Sequence, residues 1–175
     1  MTVDEVMQKL EEMGTEQTKK TFLRHGAKEP FFGVRVGDMK KLVKEVKRDQ
    51  ELAREWIHSE EEMIAACGWN TYSNYLSITP DEKLDLDEIK SLLQLIQNTI
   101  HSERNRVRYT MNQFVIAVGA YVSAMHHEAV DVAARIGAVR VDMGQTACKV
   151  PLATEYIKKI EERGKIGHKK KTCIC

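Results

Sequence analysis

At 175 residues, 42% hydrophobic and 30% charged, the chain has the size for one domain with a sizeable core and is too apolar for a disordered segment. The formal net charge is only +1, and no apolar run approaches the roughly 20 residues that span a bilayer. The charge is unevenly spread, with ten acids against three bases over 51–98, six bases against two acids over 35–48, and seven bases against two acids over 158–175.

The opening MTVDEVMQKLEEM is amphipathic and acidic, unlike a secretory or mitochondrial leader. Thr2 and Glu5 form a capping-box pattern, and Val3, Val6, Met7, Leu10 and Met13 keep a three-and-four spacing up to Gly14. Thr15 is placed to cap a second, short helix through Phe22 and Leu23 that ends near Gly26. KEPFFGVRVGD reads as a loop held by Pro30, Gly33 and Gly37, with Phe31 and Phe32 as buried anchors. Asp38 then caps a basic helix with the stripe Met39, Leu42, Val43 and Val46, which breaks around Arg48-Asp49-Gln50.

The short segment ELAREWIH follows, carrying Leu52 and Trp56. Ser59 and Glu62 repeat the capping box ahead of a helix bearing Met63, Ile64, Cys67 and Tyr72. SITPDEKLD is a loop, and Asp85 and Glu88 open a helix with Ile89, Leu92, Leu93, Ile96 and Ile100 on one face. The next helix begins near Glu103 and runs through Val107, Met111, Phe114, Val115, Val118 and Tyr121. Another extends from about His126 to Ile136, closed by Gly137, and the last follows Pro151 and ends at Gly164. Strand signals shrink to two VRV runs at 34–36 and 139–141, too short for a sheet. The predicted class is all-α, with paired antiparallel helices that suit a helical-repeat stack or a bundle.

Several groups carry chemistry. The four cysteines, Cys67, Cys148, Cys173 and Cys175, form no CxxC pair, and the six histidines show neither HExxH nor zinc-finger spacing, so no zinc site is expected. Cysteines behind an N-terminus without a secretory signal point to reduced thiols in the cytoplasm. Cys148, beside Lys149 in RVDMGQTACKVP, is either a nucleophile or a small buried filler. Neighbouring side chains diverge, so Lys149 need not lower its pKa, and the filler reading is preferred. In the same stretch Met143-Gly144 turns the chain, while Asp142 and Thr146 suit backbone capping. The terminal KKKTCIC lacks the cysteine position that prenylation requires and reads as a solvated basic tail.

Arg104, Arg106 and Arg108 cluster at a helix start, where backbone N–H groups also favour anions. Cations oppose the helix dipole there, so local stability does not explain three of them. They read either as phosphate contacts or as partners of the acidic residues around Glu60–Glu62. Trp69 and Tyr72, one turn apart beside polar Asn70 and Ser73, and Tyr109 are aromatics that either line a groove or fill the core.

Taken together, the runs FFGVRVGDMKKLVKEVKRD, EEMIAACGWNTYS, HSERNRVRYTMNQFVIAVGAYV and VDMGQTACKVP resemble the bacterial DNA alkylation repair family of HEAT-like helical-repeat proteins. The likeness holds in order over most of the chain. It implies antiparallel HEAT-like repeats forming a curved solenoid over 1–164, followed by a basic tail at 165–175. Some members of the family are glycosylases that excise positively charged alkylated purines. Their implied mechanism sets an aspartate near the deoxyribose and tryptophans around sugar and lesion, without burying the flipped base.

Such proteins usually carry one or two further repeats between the basic helix and the EEMIAACGW-like helix. Here KRDQELAREW runs almost directly into IHSEEEM, and no residue of this chain can be matched to the catalytic aspartate. Asp38 and Asp142 fit turn and helix caps instead. The resemblance implies a partner, duplex DNA that is alkylated in the glycosylase members, gripped by a basic concave face, with no metal, organic cofactor or membrane. Arg104, Arg106, Arg108, Lys149, Lys169, Lys170 and Lys171 are the expected backbone contacts, and Trp69, Tyr72 and Tyr109 the lesion-side aromatics. The competing expectation is a non-catalytic helical-repeat scaffold that binds nucleic acid or protein.

Overall fold

The computed structural model of the chain describes residues 3–35, 37–39 and 50–172. The predicted basic helix, with Leu42, Val43 and Val46, lies outside the described residues apart from its first turn. Eight α-helices are present among the described residues: α1 Val3–Met13, α2 Glu16–Arg24, α3 Gln50–Ile57, α4 Glu62–Ile78, α5 Leu86–Thr99, α6 Asn105–Tyr121, α7 His126–Ile136 and α8 Ala153–Glu162. Single 3-10 turns sit at Asp81–Lys83 and Ser123–Met125, and no strand occurs among the described residues. The fold is all-α, as the periodicity predicts.

The helices belong to two compact units. The first comprises the described part of Met1–Asp49 with Asp142–Lys149, the second Gln50–Val141 with the described part of Val150–Cys175. In the first unit Thr15 caps α2 as predicted, its hydroxyl accepting from the Thr18 N–H at 3.3 Å. Phe31 is half-buried, its ring centroid 5.9 Å from that of Phe22, and Phe32 is also half-buried rather than fully enclosed. The 142–149 segment joins this unit through the Gln145 N–H, which donates to the Arg24 carbonyl at 3.1 Å. Gly26 and Gly144 let the two backbones meet there: both have positive φ, and a Cβ on Gly144 would lie 2.5 Å from the Gly26 nitrogen.

The second unit is organised on α4 and α6, each 17 residues long. α4 packs on α3 and α6, and α6 also receives α7 and α8. Predicted core faces match well on α5, where Ile89, Leu92, Leu93, Ile96 and Ile100 are all buried, and on α6, where only Tyr121 of the predicted stripe is half-buried. The Asp85 carboxylate caps α5 by accepting from the Glu88 N–H at 3.0 Å. α7 ends at Gly137, whose φ is +58°.

α4 departs from expectation. Its buried face is Ala65, Ala66, Trp69, Tyr72, Ser73 and Leu76, whereas Met63 and Cys67 are exposed. The predicted Ser59–Glu62 capping box does not form either. The Ser59 hydroxyl accepts from Glu61 N–H, and the Glu62 carboxylate turns to α6.

Gly68 faces α3 so closely that an added Cβ would sit 2.6 Å from Ile57 N and 2.8 Å from the Trp56 carbonyl carbon. Gly119 faces only the flexible end of Ile157, at 2.7 Å from Cδ1. Gly68→Ala is therefore expected to destabilise the protein by about 1–3 kcal/mol in urea unfolding, despite the helix-propensity gain. Gly119→Ala, which a side-chain shift can accommodate, should cost less.

Candidate nucleic-acid interface

The arginine cluster at the start of α6 is largely internal in its bonding. Arg104, the N-cap residue, donates one guanidinium nitrogen to the Glu60 carbonyl and another to the Ser59 carbonyl at 3.0 Å, and its Nε lies 3.5 Å from Glu103. It thereby satisfies carbonyls of the α3–α4 connection. The anion position at this helix start is also filled from within, because Glu62 Oε1 accepts the Arg106 backbone N–H at 2.6 Å. A phosphate approaching those amides would meet a carboxylate first. Arg108 is half-buried; Nη2 reaches Asn105 Oδ1 at 3.2 Å, and its buried Nε has no hydrogen-bond acceptor among the described residues.

Two of the three aromatics chosen for a lesion-side surface lie in the core. Trp69 is fully buried, edge-on to Phe114 with centroids 5.1 Å apart, and Tyr72 packs on Phe114 at 5.6 Å. Small polar neighbours misled the reading: Ser73 is itself buried, bonding the Trp69 carbonyl at 2.8 Å. Tyr109 is half-buried. Sequence spacing gave no sign of the cluster around Glu88, whose carboxylate accepts from Arg54 Nε at 2.5 Å, Arg54 Nη2 at 2.6 Å and the Tyr72 hydroxyl. This two-pronged pair ties α3 to α5 and, through Tyr72, to α4. The Glu88 hydrogen bond, opposed by partial burial, raises the Arg54 guanidinium further above its ordinary range.

The KIGHKKK run, expected to be solvated, is docked on the second unit as far as Lys170. Gly164, with φ +62°, ends α8 in a Schellman turn, in which the Lys165 N–H donates to the Ile160 carbonyl at 3.1 Å and the Gly164 N–H to Glu161 at 2.8 Å. The Gly167 N–H then meets the Ala120 carbonyl at 2.9 Å, and the Lys170 N–H meets Ser77 at 2.7 Å. Lys169 Nζ reaches the Leu76 carbonyl at 3.0 Å and Asp81 at 2.8 Å, while Lys170 Nζ lies 5.2 Å from the centroid of Tyr121. The docked run supplies donors to the carbonyl ends of α4 and α6, where a cation is also favoured by the dipole. Lys165, Lys170 and Lys171 are exposed.

The preceding helix is charge-segregated. Ala153 and Ile157 form its buried face. Helical spacing of 100° per residue places Lys159 and Arg163 together on one flank, whereas Glu155 and Glu162 lie further round, with Lys158 paired to Glu162 at 4.0 Å. This flank was missed at the level of sequence because the lysine count, rather than its angular placement, drew attention.

In the RVDMGQTACKVP segment, Asp142 Oδ1 accepts the Gly144 N–H at 2.8 Å, and the Thr146 hydroxyl donates to Met143 at 2.9 Å. These are the predicted turn contacts. Cys148 is exposed rather than buried filler, and Lys149 beside it is exposed as well.

If Arg104 serves the α3–α4 connection, Arg104→Ala should lower stability by about 1 kcal/mol in thermal or urea unfolding. Any DNA affinity, measured well below the melting temperature, should then change by less than about twofold, because the guanidinium is already engaged by the Ser59 and Glu60 carbonyls.

The family model described as DNA alkylation repair enzyme matches residues 6–67. An uncharacterized protein of Listeria innocua is 40% identical over 119 residues, which cover 67% of this chain and 50% of that protein. One from Listeria monocytogenes is 40% identical over 121 residues, covering 68% and 51%. The chain thus spans about half the length of these curated relatives. A solved structure from "a new family of proteins related to the HEAT-like repeat DNA glycosylases with affinity for branched DNA structures" matches over 100% of both chains, with a TM-score of 0.66 and 27% identity. Sequence and fold point the same way: over residues 6–67 the chain matches the DNA alkylation repair enzyme family, and as a whole it is similar in fold to a relative of the HEAT-like repeat DNA glycosylases.

Proposed function

We propose that this chain binds DNA, with branched DNA as its preferred form, through phosphate contacts along α8 and the docked basic run that follows it. The observation that carries the reading is the fixed placement of cations there. Lys169 anchors the run to Asp81 and the end of α4, and Lys159, Arg163, Lys165, Lys170 and Lys171 stand exposed around it. A pre-ordered cationic surface binds a polyanion with less loss of side-chain and chain entropy than a free tail would. The affinity for branched DNA of the structural relative supports the choice of ligand. The match of residues 6–67 to the DNA alkylation repair enzyme family supports DNA as the partner class.

The finer expectation of base excision finds less support. Hydrolysis of a glycosidic bond needs a carboxylate free to face the developing positive charge on the sugar. Glu88 is engaged by Arg54 and Tyr72, Glu62 by the start of α6, Asp81 by Lys169 and the Ser123 N–H at 3.0 Å, and Asp142 by Gly144. With Trp69 and Tyr72 in the core, binding is the better-supported activity.

Purified protein should bind a four-way junction more tightly than a blunt duplex of equal length, and log affinity should fall with log salt by about 0.9 per phosphate neutralised. Lys165→Glu combined with Lys171→Glu should weaken binding to both and flatten that slope. A salt-independent response, or no DNA binding at all, would leave the protein-scaffold alternative. Release of an alkylated purine from methylated duplex would establish excision instead.

A further inference from the structure

On α8 one large aromatic stands outside the core. Tyr156 is 51% exposed, the most exposed of the large hydrophobic side chains among the described residues, and its ring joins none of the ring pairs found there. A single exposed aromatic needs no explanation by itself. Its company does. Counting 100° per residue from Ala153, Tyr156 falls within about 60° of Lys159 and Arg163, and no acid lies in that sector. Glu155 and Glu162 lie on the adjoining flank, and Glu161 lies on the opposite side of the buried face. Lys159 and Arg163 join no ion pair among the described residues, unlike Lys158 with Glu162.

We infer that Tyr156 is a stacking platform for an exposed nucleobase face, with Lys159 and Arg163 holding phosphates on the side of that base toward the helix C-terminus. The inference rests on the DNA-binding reading above and specifies what the surface distinguishes. Cations alone grip the nucleic-acid backbone and do not sense whether a base face is exposed. A flat π-face does, because a branch point or single-stranded stretch offers a base face that a continuous duplex keeps covered by its neighbours. Lys159 lies about 4.5 Å and Arg163 about 10 Å along the helix from Tyr156, both toward its C-terminus, so a strand can run from the stacked base past the two cations. The helix also supports the ring rigidly from below. Ile157, about 100° round the helix from Tyr156, is fully buried against Gly119, so the platform can take a base without reordering the segment.

The test compares the parent chain with Tyr156→Ala and Tyr156→Phe on three probes: a four-way junction, an oligothymidylate single strand and a blunt duplex. Tyr156→Ala should lose roughly tenfold in affinity for the junction, the single strand or both, while duplex affinity stays within twofold. Tyr156→Phe should match the parent, since only the π-face is needed. Loss on the junction alone assigns the stacked base to the branch point, and loss on the single strand as well assigns it to any unpaired base. A 2-aminopurine at the affected position should change its fluorescence with the parent and not with Tyr156→Ala. Unchanged junction and single-strand binding by Tyr156→Ala, or an equal loss on all three probes, would overturn the platform and leave DNA binding intact. Failure of the parent to bind any probe would instead remove the DNA-binding reading, and the platform with it.

Discussion

The contact between α4 and α6 determines where the other elements of the second unit can lie. It is built from Trp69, Tyr72 and Phe114, fully buried and meeting edge to face. At about 25 cal/mol per Å² and 150–250 Å² for a ring, burying Trp69 alone is worth about 4–6 kcal/mol. Its Nε1 has no hydrogen-bond partner among the described residues, and an unmade buried hydrogen bond costs about 1–3 kcal/mol. The apolar term wins, which is why an indole can stay here without an acceptor. The closeness of α3 at Gly68 and of α8 at Gly119 follows from the same packing, since each glycine marks a side of the pair where another element approaches.

Fixing helices side by side creates a second demand at their ends, where the last carbonyls lack partners. Much of the polar chemistry of this chain answers it. His101 Nε2 lies 2.9 Å from the Ile136 carbonyl and His126 Nδ1 lies 2.7 Å from the Gly119 carbonyl. Lys169 and the Gly167 and Lys170 amides serve α4 and α6 in the same way, and Arg104 serves the carbonyls just beyond α3. Cationic and imidazole donors suit these positions because they also meet the negative end of the helix dipole. A basic residue in this fold therefore has two competing uses, closing a helix end or meeting an external anion, and only geometry separates them.

That competition explains what could be read from the sequence and what could not. The faces of α5 and α6 and the span of α7 were legible, since apolar residues of the first two repeat at helical spacing and local signals such as Asp85 and Gly137 mark the limits. The Asx contact of Asp142 and the Thr15 cap were legible for the same reason: they are made within three residues. α4 was misread because it is buried on a face of small residues, Ala65, Ala66 and Ser73, beside two aromatics, and hydrophobicity alone favours Met63 and Ile64. Arg104, Glu62 and Lys169 could not be assigned, since their partners are 44, 44 and 93 residues away in the chain. Cys148 was expected inside on the average behaviour of cysteine, which yields here to a loop whose contacts are made by backbone and hydroxyl groups.

Once Arg104 is assigned to the α3–α4 connection and the first amides of α6 to Glu62, the balance between phosphate grip and base recognition changes. In the proposed DNA binding, contacts by charge alone would not sense an exposed base, because phosphate contacts read the backbone and not the base. In that proposed mode, a group that meets a base face can sense what branching or strand opening exposes. On α8 and its C-cap Arg163 the parts that the proposal requires share one surface: Ala153 and Ile157 hold the helix down, Lys159 and Arg163 join no ion pair among the described residues, and Tyr156 presents its ring between core and cations. The same amphipathic rule that buries one side of this helix thus leaves the other side with the chemistry of a nucleic-acid contact, and no flipped-base pocket is required for it.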